Sequence, residues 1–400
     1  MVCGAAVAVA GASSAQVAGL DPVVARLRRF VEDGDLPFAS LRIARHGRVL
    51  AEAHIAGVET VGPGSLYRIY SMTKPVVAAA TVLLIEDGRL TLDTPVAEHV
   101  PEFADLQAMA GGLDRLEPAR TMTVGHLLTH TCGLGNSWGD GATAPLYREA
   151  GLVAAAWMYD PAIGGLGEFA RRLGRIPLEF QPGAGWRYGY GLDIAGLVIE
   201  RISGERLSRF LDRRIFDPLG MDATGFFAPE EQAGRLTGLY TGLGATRRRV
   251  EDGGERAPLN RPLADSGSGG LVSSLSDYGR FADMLAGGGA VDGVRVMGAE
   301  STRLLMTPHG PQNVIRPALA QFGLGDGVFA QALGGVTRLN DDVGPGSAGE
   351  YGWGGAASTG FWCTPGLGLS VVLMTQLMPS SAVPVREALR PMIYRALADG

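Results

Sequence analysis

A serine followed three residues later by a lysine is the feature of this sequence that most directly suggests chemistry. Ser71 and Lys74 stand at the start of a strongly apolar segment, residues 72–87, which predicts a buried helix ending at Gly88. Residues three apart share one face of a helix, so the hydroxyl and the amine can lie within hydrogen-bonding distance. A helix N-terminus also offers free N–H groups to a developing oxyanion. The pair predicts a nucleophilic serine, although Ser-x-x-Lys alone is a common pattern.

The lysine at position 74 is unusual for this chain. Of the 35 basic residues, Lys74 is the one lysine and all the others are arginine. Arginine keeps its proton in proteins, whereas a buried lysine can release it. A chain that otherwise uses arginine throughout has lysine beside a candidate nucleophile, which indicates a need for a deprotonatable amine.

Five further segments accompany this pair in an order typical of a known family. Two of them read His-Leu-Leu-Thr-His-Thr-Cys-Gly-Leu and Pro-Gly-x-x-Trp-x-Tyr-x-x-x-x-Asp-x-x-Gly. With these segments, the sequence resembles the class C β-lactamases, the D-Ala-D-Ala peptidases and the family VIII carboxylesterases along most of its length. The six matching segments are residues 70–75, 126–134, 182–196, 215–221, 269–273 and 353–356.

The resemblance implies a role for each matching residue. Ser71 is expected to attack the carbonyl, while Lys74 and Tyr188 take its proton and pass it to the leaving group. A phenol can act as a base near neutral pH only when a neighbouring ammonium stabilises its phenolate. The backbone N–H groups of Ser71 and Ala356, the latter expected on an edge strand, are the implied oxyanion hole. No metal or cofactor is required.

Two departures from the β-lactamases favour an esterase. Where those enzymes carry Asn, two residues after the tyrosine, this chain has Tyr190, and Trp353-Gly354-Gly355 replaces their Lys-Thr-Gly. The missing groups bind the amide and carboxylate of a β-lactam, whereas aromatic side chains suit an uncharged ester. We therefore expect Tyr190, Trp353, Gly354 and Gly355 to contact a small or medium ester, and predict a carboxylesterase.

Two alternatives to an esterase remain open. A β-lactamase or D-Ala-D-Ala peptidase would use the same Ser-Lys-Tyr site. A catalytically silent homologue that binds cell-wall peptides would not need an intact nucleophile, lysine and tyrosine together.

Other candidate sites are weaker. Residues 135–139 fit the Gly-x-Ser-x-Gly pattern around Ser137, but that motif requires a strand before it and a helix after it. His126, His130 and Cys132 lack the His-Glu-x-x-His arrangement of a zinc site, so we expect the histidines to pack and to bond the backbone. Asp193 is expected to be an orienting or structural carboxylate. Trp138 and Trp186 are candidates for the pocket wall.

The pattern of elements predicts how these residues are brought together. Short β-prone segments at 41–44 and 49–55 flank a His46-Gly47 turn, and further strands are predicted at 358–363 and 369–375. The middle of the chain is mostly helical, with helices predicted at 124–131, 166–173, 193–203, 205–216 and 273–285, and the chain closes with a helix at 382–397.

The two ends should therefore pair into one antiparallel sheet, with a helical insertion between them. This arrangement is an α/β (α+β) fold of the β-lactamase/transpeptidase type. We expect a tail over residues 1–20, an α/β domain formed by 21–85 and 190–400, and a helical domain over 86–189.

The composition of the chain limits the classes of partner that it is expected to bind. A net charge of −6 over 400 residues argues against nucleic acid, whose phosphates require clustered cations. The apolar run at 76–85 has about half the length of a membrane span, and three distant cysteines imply no disulfide framework. Residues 4–20 are small and apolar like a secretory signal, but no basic residue precedes them. This favours a cytoplasmic protein, with a periplasmic or secreted protein as the alternative. A small-molecule ester is the one partner predicted, and the sequence does not specify an oligomeric state.

Overall fold

The computed structural model describes residues 18–250, 257–324, 327–341 and 346–398. Nearly all of the predicted tail, residues 1–17, lies outside these described residues. Within them, no helix combines the length and the apolar character that a membrane crossing requires.

A seven-stranded antiparallel sheet joins the two ends of the chain, as predicted. Its strands run in the order β11-β12-β13-β14-β15-β1-β2, so that β1 from the front of the chain pairs with β15 from the back. The strands of this sheet are β1 (Ala39–Arg45), β2 (Arg48–Ile55), β11 (Phe329–Gln331), β12 (Val336–Arg338), β13 (Tyr351–Gly354), β14 (Gly360–Thr364) and β15 (Leu369–Met374).

The remaining strands of the described residues form the pairs β3-β8, β4-β5 and β9-β10 and a three-stranded sheet of order β16-β6-β7. They are β3 (Leu66–Arg68), β4 (Gln107–Gly112), β5 (Arg115–Pro118), β6 (Tyr240–Thr241), β7 (Arg248–Arg249), β8 (Val272–Ser274), β9 (Ala290–Val291), β10 (Val294–Arg295) and β16 (Leu377–Met378). The predicted hairpin between β1 and β2 is present, and both of its turn residues, His46 (φ 51°) and Gly47 (φ 74°), adopt positive φ. Such turns match the right-handed twist of the flanking strands.

The α-helices pack on both faces of the sheet. Most of them lie in the sequence between β2 and β11, that is, between the strands from the front of the chain and those from the back. They are α1 (Asp21–Glu32), α2 (Thr73–Glu86), α3 (Val124–Leu128), α4 (Ala144–Glu149), α5 (Leu166–Leu173), α6 (Gly191–Ser203), α7 (Leu207–Leu211), α8 (Asp217–Leu219), α9 (Leu275–Ala286), α10 (Ala299–Met306), α11 (Gln312–Gln321) and α12 (Val385–Ala398).

Two hydrophobic cores follow from the alternation of side chains along the strands. Leu369, Val371 and Leu373 of β15 point into one core, which α1 and α12 cover. Val372 and Met374 point into the other, larger core, which includes α2, α6 and α9. The nearly uniformly apolar α2 is buried along most of its length, so the segment that carries Ser71 is held from all sides.

Two helices differ from the sequence-based expectation. The helix predicted over 124–131 ends at Leu128, because His130 adopts a positive φ of 57° and turns the chain. The helix predicted over 205–216 is α7, followed by a π-helical turn over Asp212–Phe216.

Candidate active site

Ser71 lies in a short turn between strand β3 and helix α2. The turn is a 3₁₀ segment, Tyr70–Met72, and α2 begins at Thr73, one residue later than predicted. Tyr70, directly before the serine, has a φ of 45°, a region that residues with a side chain rarely adopt. Backbone strain of this kind is concentrated at functional sites, where the surrounding fold enforces it.

Three side chains meet at the hydroxyl of Ser71. Tyr188 Oη lies 2.7 Å from Ser71 Oγ, and Lys74 Nζ lies 3.3 Å from the same oxygen. Lys74 Nζ also lies 4.4 Å from the centre of the Tyr188 ring, so the ammonium and the phenol are in direct contact. These are the separations across which a serine proton can pass to a tyrosine–lysine pair.

Lys74 is buried and donates a hydrogen bond to a backbone carbonyl. The residue is only 2% exposed, and Nζ donates to the carbonyl oxygen of Ser268 at 2.7 Å. No carboxylate among the residues that the structure describes forms an ion pair with it. A buried charge is costly unless its hydrogen bonds are satisfied, and the Ser268 carbonyl supplies one of those hydrogen bonds to Lys74.

Tyr188 is fixed by aromatic neighbours on several sides. Its ring lies 4.7 Å from the ring of His130, and Trp186 stacks on it at 6.3 Å. The indole N–H of Trp353 donates to Tyr188 Oη at 3.4 Å. The indole therefore gives the phenol oxygen a neutral donor at the segment where the β-lactamases carry Lys-Thr-Gly.

The two histidines of the 126–134 segment have structural partners. His126 completes a capping box at the start of α3, where its Nδ1 accepts from the N–H of Thr123. His130 is buried, and burial, together with nearby Lys74, holds its pKa well below the ordinary value. Its imidazole is therefore neutral and packs against the catalytic candidates as an uncharged ring.

Ser71 and Ala356, whose backbone N–H groups form the implied oxyanion hole, line the same groove. Ala356 lies in the turn after β13, not on the strand itself, which corrects the expected edge-strand position. In the described part of the chain, neither N–H donates to a backbone carbonyl. A side chain at Gly355 would collide with Ile69 O, so glycine here allows the Ala356 turn to approach the serine segment.

The groove beside Ser71 has a volume of about 650 Å³, and its wall contains both aromatic rings and charged side chains. Trp353, Gly354 and Gly355, the expected substrate contacts, line it. Phe322, 47% exposed, lies parallel to Trp353 with ring centres 6.2 Å apart. Trp186 is anchored behind this wall through its indole N–H, which donates to Gln331 Oε1.

The structure corrects the expectation for Tyr190. This residue is 1% exposed and does not line the groove, and its hydroxyl donates to Leu152 O at 2.7 Å. Burial raises its pKa. Tyr190 directly precedes α6 and points into the helical core, where Tyr147, Phe169 and the exposed Trp138 surround its ring.

Ser137 also serves the packing of this region. It is buried, and its hydroxyl meets Tyr190 Oη at 2.9 Å and accepts from the N–H of Ala154 at 2.8 Å. The hydroxyl therefore has structural partners in place of a catalytic base.

Arg386 is a groove residue that the sequence analysis missed. It lies in the first turn of α12, and its guanidinium packs over Gly354 and Gly360, where a Cβ would collide with it. It lines the groove, yet no carboxylate of the described residues pairs with it. The neighbouring Arg390, by contrast, pairs with Glu350. Because nearly every basic residue of the chain is arginine, nothing in the sequence distinguished Arg386 as a groove residue.

Comparison with known proteins identifies the family. The Beta-lactamase family model matches residues 23–391. Esterase EstB of Burkholderia gladioli is 32% identical over 368 residues, covering 88% of this chain and 89% of its own. Lovastatin esterase of Penicillium rubens is 31% identical over 303 residues, covering 71% and 73%.

The fold is shared with solved structures. The structure of EstCE1, described as a hydrolase with promiscuous acyltransferase activity, superposes with a TM-score of 0.78 at 22% identity, covering 95% of this chain and 99% of that one. This likeness shows the β-lactamase/transpeptidase-like fold expected from the sequence. With the family model and the esterase relatives, it establishes that the chain belongs to the β-lactamase family and is a serine hydrolase.

Proposed function

We propose that this protein is a carboxylesterase that hydrolyses small to medium esters through an acyl-enzyme on Ser71. One observation carries the proposal: the Ser71 hydroxyl lies within 2.7 Å of Tyr188 Oη and 3.3 Å of Lys74 Nζ. The esterase names of EstB and lovastatin esterase support the same class of substrate.

The proposed reaction has two steps. The Tyr188–Lys74 pair takes the Ser71 proton as Oγ attacks the ester carbonyl, and the N–H groups of Ser71 and Ala356 stabilise the oxyanion. The pair then returns the proton to the departing alkoxide, and the alcohol leaves. In the second step the same pair takes a proton from water as the water attacks the acyl carbonyl. The pair then returns that proton to Ser71 Oγ as the acyl–Oγ bond breaks, which releases the acid and restores the free serine. An oxyanion-hole donor typically contributes about 10²–10³-fold to such a rate.

The groove supports a substrate with an apolar part and a polar or charged part. Trp353 and Phe322 supply apolar surface for an acyl chain or an alcohol. The guanidinium of Arg386 forms no ion pair among the described residues, although Glu387 lies near it. It suits a carboxylate carried by either part, because charge-assisted hydrogen bonds to arginine are strong. The aromatic replacements alone predict an uncharged ester, and Arg386 extends that range to esters of dicarboxylic acids.

Arg386 also favours a second candidate function. β-Lactams and D-Ala-D-Ala peptides carry a carboxylate, and a groove cation could bind it even though Lys-Thr-Gly is absent. A chromogenic cephalosporin measured beside nitrophenyl butyrate separates the two candidates. We expect efficient turnover of the ester and weak or no turnover of the lactam.

Covalent labelling tests the nucleophile directly. A fluorophosphonate probe followed by peptide mapping is expected to modify Ser71 in the wild type and to leave Ser71→Ala unlabelled. Ester turnover by Ser71→Ala should fall by at least about 10³-fold. Ser137→Ala is the matched control and should keep both labelling and turnover. Modification at Ser137, or full activity of Ser71→Ala, would overturn the proposal.

A further inference from the structure

A buried carboxylate and the buried lysine lie on opposite sides of one residue. Asp193, in the first turn of α6, is 0% exposed, and its Oδ1 accepts from the N–H of Ser268 at 3.1 Å. The carbonyl of the same Ser268 accepts from Lys74 Nζ at 2.7 Å. The backbone of Ser268 therefore links the two charged groups, its N–H facing the acid and its C=O facing the amine.

The carboxylate has no cation of its own. Ser266 Oγ donates to Asp193 Oδ1 at 2.6 Å, while Oδ2 accepts no hydrogen bond from the described residues. No arginine in the described part of the chain forms an ion pair with Asp193. Burial raises its pKa, and the hydrogen bonds from Ser266 and Ser268 and the charge of Lys74 oppose that rise.

The glycine-rich segment 267–270, which lies between Asp193 and Lys74, requires contacts that fix its conformation. Ser268 is flanked by Gly267, Gly269 and Gly270, which give the chain little conformational preference of its own. A Cβ at Gly267 would collide with Leu192 O, so the segment packs tightly on the start of α6, where Asp193 lies. The bond from Ser268 N–H to Asp193 fixes the direction in which the Ser268 carbonyl points.

We propose that Asp193 is a positioning residue for the reaction, which aims the Ser268 carbonyl at Lys74 and supplies the negative charge that balances the lysine across that residue. The inference rests on the proposed function of Ser71. When the Tyr188–Lys74 pair takes the serine proton, the pair gains a positive charge in a buried site. A carboxylate behind the Ser268 peptide stabilises that charge, and the polarised peptide transmits part of the effect.

A pH profile separates this role from a merely structural one. Among the described residues, Tyr188, His130 and Asp193 are the titratable groups that face Lys74. His130 stays neutral, so we expect the acidic limb of the activity profile to follow protonation of the base that takes the serine proton. Removing the charge of Asp193 destabilises the protonated pair, so the limb should move to lower pH.

The experiment measures the rate of fluorophosphonate labelling at Ser71 between pH 5 and 10 in the full-length protein. Asp193→Asn keeps the shape and an acceptor oxygen but removes the charge. We expect labelling about 10-fold slower at the plateau and an acidic limb at least about 0.5 pH unit lower. Asp265→Asn is the matched control, because it removes a buried carboxylate that pairs with Arg206 and does not contact Ser268. The acidic limb of the Asp265→Asn profile should lie at the same pH as that of the wild type.

A second variant covers the case in which Asp193→Asn does not fold. Ser266→Ala removes one donor to the carboxylate and should move the limb in the same direction by a smaller amount. An unchanged limb and rate in folded Asp193→Asn, or an unchanged limb in Ser266→Ala when Asp193→Asn does not fold, would overturn this proposal alone. Failure of the wild type to label at Ser71 would overturn the proposed function and this proposal with it.

Discussion

The two walls of the groove are built in different ways. In the catalytic wall, formed by Ser71, Lys74 and Tyr188, each polar group contacts a neighbour on the protein, and Lys74 is almost fully buried. In the substrate wall, formed by Phe322, Trp353 and Arg386, one ring is about half exposed and the guanidinium has no carboxylate partner in the described chain.

This difference indicates that the catalytic wall determines the rate of the reaction and the substrate wall determines which ester is preferred. The contacts that activate the serine are completed within the protein, so damage to the catalytic wall should slow the turnover of every ester. The substrate wall has contacts still to be made by a ligand, so changes there should alter which ester is preferred. Variants in each wall, and one outside both, test this division.

Lys74→Arg is expected to have the largest effect. Arginine keeps the positive charge but cannot release a proton, and its planar head does not fit a site built around one carbonyl and one phenyl face. We expect kcat to fall by at least about 10²–10³-fold for neutral and anionic esters alike. Steady-state kinetics with a panel of nitrophenyl esters measure the loss.

Lys74→Ala is the comparison for this variant. An equally large loss in both indicates that the releasable proton is required. Substantial activity in Lys74→Arg but not in Lys74→Ala would mean that a fixed positive charge is sufficient, and the proton-transfer role of Lys74 would then be wrong.

Arg386→Met should produce a smaller and selective effect. Methionine keeps the apolar stem but loses the cation, so KM for nitrophenyl hemisuccinate should rise about 10-fold or more. KM for nitrophenyl butyrate, which is similar in length but uncharged, should change by less than about 2-fold. Arg395→Met, an exposed position on the same helix, is the control. Equal effects on both esters would argue against carboxylate recognition.

Tyr190→Phe should have the smallest effect on activity. The hydroxyl bonds Leu152 O inside the helical core, so its loss should lower the free energy of unfolding by about 1–2 kcal/mol. Ester turnover should stay within about 2-fold of the wild type. Denaturant unfolding and the ester assay measure the two quantities. A several-fold rise in KM without a change in stability would instead support the substrate contact expected from the sequence.

The sequence predicted the catalytic wall better than the substrate wall. Ser71 and Lys74 are linked by helical spacing, so their proximity follows from local structure. Tyr188 could be placed only through the family resemblance, because its contact with Ser71 joins distant parts of the chain. Tyr190 was misplaced because the direction of its side chain depends on where α6 begins.

Long-range packing explains what else could not be predicted. Arg386 reaches the groove because Gly354 and Gly360 leave room for its guanidinium on two neighbouring strands. The link from Asp193 to Lys74 passes through the backbone of Ser268, and backbone contacts of this kind leave no residue pattern to recognise. The two-ended sheet, in contrast, was predictable from the order of strand and helix patterns.

The position of β1 between β2 and β15 has a consequence for how the chain is made. During synthesis the front hairpin emerges early, but one long edge of β1 has no partner until the last strands leave the ribosome. An exposed apolar strand edge is a template for pairing with other chains. Such late, distant pairing also slows folding. Recovery of active protein should therefore depend on what shields that edge while the rest of the polypeptide is still being translated.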